Sequence, residues 1–311
     1  MKGLIVEPSP HRAAPITTQK VMLQVIIALL PAAIAGCVVF GVKAALVLVT
    51  CIASSVIFEA LCRKIMKREQ TVSDLSAVVT GLLLGMNLTS EIPLWMAVIG
   101  SFVAIVITKQ LFGGIGQNFA NPAIVGRIVM MFSFTSAMST WAKPYWYKES
   151  ADVITGATPL ASSDGVEYMD LLMGRCGGCI GEVCALGLMI GGLYLIITKI
   201  ISPVTPLAFI GTVAVMTAVT GGDVVYQLLS GGLMIGAFFM ATDYATTPLT
   251  SKGKLIFGIG CGLITFVIRN YGNYPEGVSF SILLMNLLTP YIDRLTRTKP
   301  LGAKPAVKEA K

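Results

Sequence analysis

Charge is what this sequence has least of. Only 13% of its 311 residues are Asp, Glu, Lys or Arg, where a soluble domain carries about a quarter. Histidine occurs once, at His11, so no histidine cluster is present to bind a metal or relay protons. No G-x-G-x-x-G opens a βαβ unit, which excludes a dinucleotide-binding fold of the usual kind. The seven cysteines, at 37, 51, 62, 176, 179, 184 and 261, are odd in number and have no framework spacing, so a disulfide scaffold is not expected. Cys176-Gly-Gly-Cys179 reads as an incidental or structural pair, with a disulfide on the outer face as the alternative; no metal site is assigned.

What replaces charge is apolar sequence. The chain is 55% hydrophobic with a mean hydropathy of +0.79. Its apolar runs are each near the ~20 residues that cross a bilayer as a helix. Ten spans are expected: 21–36, 42–61, 75–88, 94–111, 119–137, 183–200, 206–220, 224–242, 255–268 and 278–291. Met1–Lys20 is polar and holds Pro8, Pro10 and Pro15, so it is not read as a cleaved secretory leader. The fold is therefore expected to be an all-α polytopic membrane protein.

The net charge of +7 is a topology signal, not a nucleic-acid footprint. With the N-terminus on the cytoplasmic side, seventeen of the 23 Lys and Arg fall on that side, five on the other, and Arg127 within a span. Both termini are then cytoplasmic in a cell membrane. The chain divides into a cytoplasmic segment 1–20, a first membrane half 21–137, an extracytoplasmic loop 138–182, a second membrane half 183–293 and a cytoplasmic tail 294–311. Trp141, Tyr145, Trp146 and Tyr147 read as an interfacial belt, and His11 as a surface or docking residue.

An internal repeat is visible. The run from Gly81 to Pro93 (GLLLGMNLTSEIP) resembles the run from Gly236 to Pro248 (GAFFMATDYATTP). Each carries a Gly-rich apolar stretch into a polar cluster and then Pro. Five spans lie between Leu75 and Val224, where the corresponding spans of the two halves begin; an odd number reverses direction, so the halves should be inverted, with a shared site where the helices break. Asp243 and Asn87 occupy similar places in the two runs. With Asn121 they are candidates to bind a second, non-covalent flavin or to line an ion path; the plainer role is to satisfy backbone groups freed at the breaks. Glu59 is expected to snorkel beside Arg63, and Glu182 to sit at a helix N-terminus.

The long loop holds Asp152-Val-Ile-Thr155-Gly156-Ala157-Thr158-Pro159. Gly156 and Ala157 remove bulk beside the Thr158 hydroxyl, and Pro159 restrains the chain after it. Asp152 is a residue type that orients a phosphate or holds a divalent ion. This order resembles the acceptor motif on which a flavin transferase joins FMN to threonine through a phosphoester bond. Together with Pro8-Ser-Pro-His11, Thr80–Gly85, Asn118–Ala123, Gly181-Glu182, Ala241-Thr242-Asp243 and Leu287–Asp293, it gives a near full-length resemblance to the D subunits of Rnf complexes, the ion-translocating ferredoxin:NAD oxidoreductases. That family is similar to the B subunit of the sodium-pumping NADH:quinone reductase. The resemblance implies a flavoprotein carrying FMN on Thr158, with Asp152, Thr155, Gly156 and Ala157 around it. It implies electron transfer coupled to Na+ or H+ movement, and no turnover by the chain alone. The implied partners are iron–sulfur subunits, a second covalently flavinylated subunit and an FMN transferase. An inverted-repeat solute channel or transporter without a redox cofactor is the alternative, as is the related quinone reductase subunit.

Overall fold

A computed structural model describes residues 16–142, 144–145, 168–174, 176–272 and 276–297. No β-strand occurs among them. The first half comprises α1 (Thr18–Phe40), α2 (Val42–Ile65), α3 (Ser76–Met86), α4 (Leu94–Phe102, continuing as a π-helix over Val103–Gln110) and α5 (Pro122–Ser133). The second half comprises α6 (Ala185–Ile197), α7 (Val204–Val219), α8 (Val224–Leu229), α9 (Leu233–Ile235, continuing as a π-helix over Gly236–Met240), α10 (Ser251–Tyr271) and α11 (Val278–Thr296).

The helix starts are legible as local chemistry. Thr17 caps α1 by accepting from the Lys20 N–H, Asn121 caps α5 from the Ala123 N–H with Pro122 following, and Thr250 caps α10 from Gly253. Arg63 and Lys64 end α2, where the helix dipole favours cations.

Three of these helices, Thr18–Phe40, Val42–Ile65 and Ser251–Tyr271, are long and apolar enough to cross a membrane, and five more are apolar but shorter. The span expected over 224–242 is interrupted: α8 ends at Leu229, and Gly231 takes φ 66° before α9 begins. α3 stops after 11 residues, and a turn follows over Asn87–Ile92. Broken backbone of this kind survives at membrane depth only where it is walled in by protein. Residues 87–90 meet that condition, being fully buried.

The surface is apolar and the interior polar. Ile34, Val49, Leu207 and Val215 are each about 60% exposed, while Glu59, Lys109 and Arg127 are buried. That arrangement suits a lipid solvent and would be unstable in water. The chain is a polytopic membrane protein.

Both halves run through the same succession of a helix pair, a short helix ending in a polar break, a long helix and a last helix. Within the first half, α2 packs on α3 and α4, and α4 on α5. Within the second, α7 packs on α10 and α9, and α10 on α11. The halves meet through α1 against α6 and α5 against α11. Glycine makes the crossings close. A Cβ at Gly81 would lie 2.6 Å from the Cys51 carbonyl oxygen, so only glycine lets α3 ride on α2 at this separation. Gly191 does the same for α6 against the Ala28 carbonyl of α1.

Candidate functional site

Two polar centres lie within the bundle. The first is a cleft of about 100 Å3 near the N-terminus of α1 and the C-terminus of α6. Val21, Met22, Leu195 and Phe239 give it apolar walls, while Ser76, Thr80, Lys109, Asn118, Asn121 and Asp243 point polar groups at it. Asp243 closes its own turn: Oδ2 accepts from the Thr246 hydroxyl at 3.1 Å and Oδ1 from the Ala245 N–H at 3.5 Å. The Asn118 Oδ1 is buried without a partner. Among the lining residues Asp243 is the only acid and Lys109 the only base.

Lys109 comes from the π-helical end of α4, a distortion found mostly at functional positions. Its side chain is 2% exposed; Nζ donates to Glu59 Oε2 at 2.7 Å and to Ser76 Oγ at 2.6 Å. Glu59 Oε1 accepts from the Thr71 hydroxyl at 3.1 Å, with Arg63 Nε 4.0 Å away. Burial penalises both charges, so each depends on the other.

The second centre surrounds Arg127, in the middle of α5 and 2% exposed. Nη1 donates to Asn87 Oδ1 at 2.6 Å. Nη2 donates to Glu182 Oε1 at 3.2 Å and to Cys179 Sγ at 3.4 Å, and is ion-paired with Glu276. Three breaks in the chain therefore converge on one guanidinium: the end of α3 through Asn87, the approach to α6 through Cys179 and Glu182, and the approach to α11 through Glu276. Arg269 lies near enough to act on Glu182 electrostatically, and donates to Gln227 and Ser230 carbonyl oxygens at 2.7 and 3.1 Å.

The centres are joined. Asn121 Nδ2 donates to the Met240 carbonyl at 3.3 Å, and Asn87 Nδ2 donates to Leu83 O at 2.6 Å while lying 3.8 Å from Met240 Sδ. Asn121, Met240, Asn87 and Arg127 thus form a continuous file from the cleft to the arginine centre. Met240 ends the second π-helix.

The family model described as NQR2, RnfD, RnfE matches residues 5–302 of this chain. The chain belongs to the NQR2, RnfD, RnfE family. It is 48% identical, over 99% of its length and 98% of the relative's, to the D subunit of the Na(+)-translocating ferredoxin:NAD(+) oxidoreductase complex of Acetobacterium woodii. It is 42% identical, over 96% of each chain, to the proton-translocating counterpart of Clostridium ljungdahlii. The D subunit of the ion-translocating oxidoreductase complex of Stutzerimonas stutzeri is 38% identical over 92% of each chain.

In this family member, the residues expected from sequence separate into three groups. Asp243 and Asn121 do share one cleft. Asn87 stands apart from it, one step along the file, with its oxygen on Arg127. Thr158, Asp152, Thr155, Gly156 and Ala157 lie outside the described residues, as do His11, Trp146 and Tyr147. The loop that carries them leaves at Tyr145, whose N–H donates to Val39 O near the end of α1, and returns at Tyr168. There the Tyr168 hydroxyl donates to Asp223 Oδ2 at 2.5 Å; that bond and the Tyr226 N–H hold the Asp223 carboxyl below its usual range.

One reading needs correction and two are narrowed. Glu59 does not snorkel; it is 0% exposed because Lys109 and Thr71 satisfy it inside. Cys176 and Cys179 form no disulfide, since Cys179 turns inward to Arg127. Glu182 does precede a helix, but its partner is a buried arginine and not the helix end alone. Lys109 was missed as a site residue because its place at the end of an apolar span reads as a topological charge.

Proposed function

We propose that this chain is the D subunit of an ion-translocating ferredoxin:NAD+ oxidoreductase complex, and that it carries FMN as a phosphothreonine ester on Thr158. The observation that carries the reading is the end-to-end likeness to relatives bearing that name, in a chain whose one long loop holds the acceptor-like Asp152–Pro159 segment. The Lys and Arg distribution supports a cytoplasmic side for the cleft and an outer side for the loop.

When bound, the flavin would supply one- or two-electron chemistry through its ring. The chain's own part is placement: Thr158 fixes the group by its hydroxyl oxygen, Gly156 and Ala157 keep the approach open, and Asp152 orients the incoming phosphate. The remaining subunits of the complex would supply iron–sulfur centres and a second covalent flavin, and a separate transferase would attach the FMN. The cleft does not fit a second flavin as it stands. Its ~100 Å3 falls short of the several hundred Å3 of sites for ligands of that size. Its single carboxylate and unpartnered Asn118 oxygen suit water or a small cation instead.

The test is in-gel fluorescence of the denatured chain after co-expression with a flavin transferase. Wild type should fluoresce and Thr158→Ala should lose essentially all signal. A band equally bright in the variant would put the attachment elsewhere. A dark wild-type band would favour a transporter without a redox cofactor, the reading that the repeated halves support on their own. The related quinone reductase subunit is separated from this reading by asking whether ferredoxin or quinone serves the purified complex.

A further inference from the structure

Glu182 and Glu276 are buried acids outside the cleft. Both are more than nine-tenths buried, and a ligand atom from each, with Cys179 Sγ, lies within 4.8 Å of the others. Glu276 Oε1 has no partner, although its other oxygen is paired with Arg127; the Arg127 Nε is also unpartnered. Gly232 borders both carboxylates: a Cβ there would lie 2.9 Å from Glu182 Oε1 and 3.5 Å from Glu276 Oε1. Its φ of −80° is open to any residue, so space rather than backbone conformation makes glycine useful here. Both carboxylates pair with Arg127, and Glu182 also feels the charge of Arg269, so two cations stand against two acids. A cation can be held only if one guanidinium releases its acid. Arg127 would then keep only the Asn87 Oδ1 on Nη1, so the cost of parting it from its acids has to be offset by the cation's own contacts with the two carboxylates.

We propose that Glu182 and Glu276 form a transit site for a monovalent cation, plugged at rest by the Arg127 guanidinium. Carboxylate oxygens suit a hard ion such as Na+ or a proton carried with water, while the Cys179 thiol is a neighbour and not a ligand. The file of Asn121, Met240 and Asn87 connects this site to the Asp243 cleft. A cation leaving that cleft would arrive at the carboxylates and exchange with Arg127. The inference rests on the ion-translocating reading but is tested without electron transfer.

The experiment is passive flux of 22Na+ and of protons into vesicles containing the purified whole complex, with no electron donor. Arg127→Gln is expected to raise the flux of one of the two ions by about tenfold, and Arg127→Gln with Glu276→Gln to return it to the wild-type level. Arg127→Lys should stay tight. Which ion leaks distinguishes a sodium site from a proton site. An assembled Arg127→Gln complex as tight as wild type to both ions would overturn the plugged site and leave a structural clasp. If Arg127→Gln fails to assemble, Gly232→Ala serves, because it crowds the carboxylates and leaves Arg127 in place. It should slow ion uptake driven by reduced donor about tenfold at unchanged flavin reduction, and unchanged uptake would overturn the site. A wild-type complex that moves no ion when reduced would defeat the translocation reading itself, an outcome separate from these.

Discussion

Lys109→Met should cost about 3–5 kcal/mol of stability, the usual penalty for stranding one member of a buried ion pair. The thermal midpoint of the detergent-solubilised chain should fall accordingly. Glu59 is 1% exposed at its side chain, and without the ammonium its carboxylate keeps only the Thr71 hydroxyl at close range. Arg63 offers partial relief, since its unpartnered Nε lies 4.0 Å from Glu59 Oε1 while its Nη1 is committed to the Glu69 carbonyl at 2.8 Å, so the loss should fall toward the lower end of that range. Adding Glu59→Gln to Lys109→Met removes the stranded charge and should recover most of the loss. Recovery is the decisive arm: a double variant as unstable as the single would mean that Lys109 matters through its stem and its bond to Ser76, not through the pair.

Asp243→Asn should separate ion movement from electron movement. The amide oxygen can still accept from the Ala245 N–H, and the amide NH2 can donate to the Thr246 hydroxyl oxygen with that bond reversed, so the turn after Met240 should survive. What disappears is the only negative charge lining the cleft. Under the proposed reading, ion uptake by the reconstituted complex should fall by about tenfold or more, because a cation would meet Lys109 with no opposing carboxylate. Covalent flavin fluorescence, which the same reading attributes to Thr158, should be unchanged. Equal loss of flavin reduction and ion uptake would make Asp243 a structural residue, and full retention of both would remove the cleft from the ion path.

Much of the fold was legible because lipid imposes a simple rule. A chain that must close its own backbone hydrogen bonds in hydrocarbon has few options besides helices, and long apolar runs mark them. The pairing of Gly81–Pro93 with Gly236–Pro248 located both breaks correctly. Less legible was the interruption at Ser230–Gly232, since Gly-Gly inside an apolar run also occurs in unbroken membrane helices. The site was only half readable. Asp243 and Asn121 announce themselves as polar residues beside spans. Lys109 and Glu59, 50 positions apart, each look like span-end charges, and nothing in linear order says they meet. Arg127 stood out as a buried cation, but its acids lie 55 residues downstream at Glu182 and beyond α6 to α10 at Glu276. Convergence of that kind belongs to topology, and no local pattern encodes it.

The two π-helical stretches, Val103–Gln110 and Gly236–Met240, bear on how this scaffold tolerates length changes. Widening a turn in this way is equivalent to accommodating a surplus residue without ending the helix. Were the same residues wound as an ordinary α-helix, the surplus residue would rotate everything beyond it by roughly 100°. In the first stretch that rotation would swing Lys109 off Glu59 and toward the alkyl chains; in the second it would turn Met240 away from both asparagines. The irregular winding therefore sets the angular phase of the polar file, and the length of each stretch is as much a part of the site as the residues that line it.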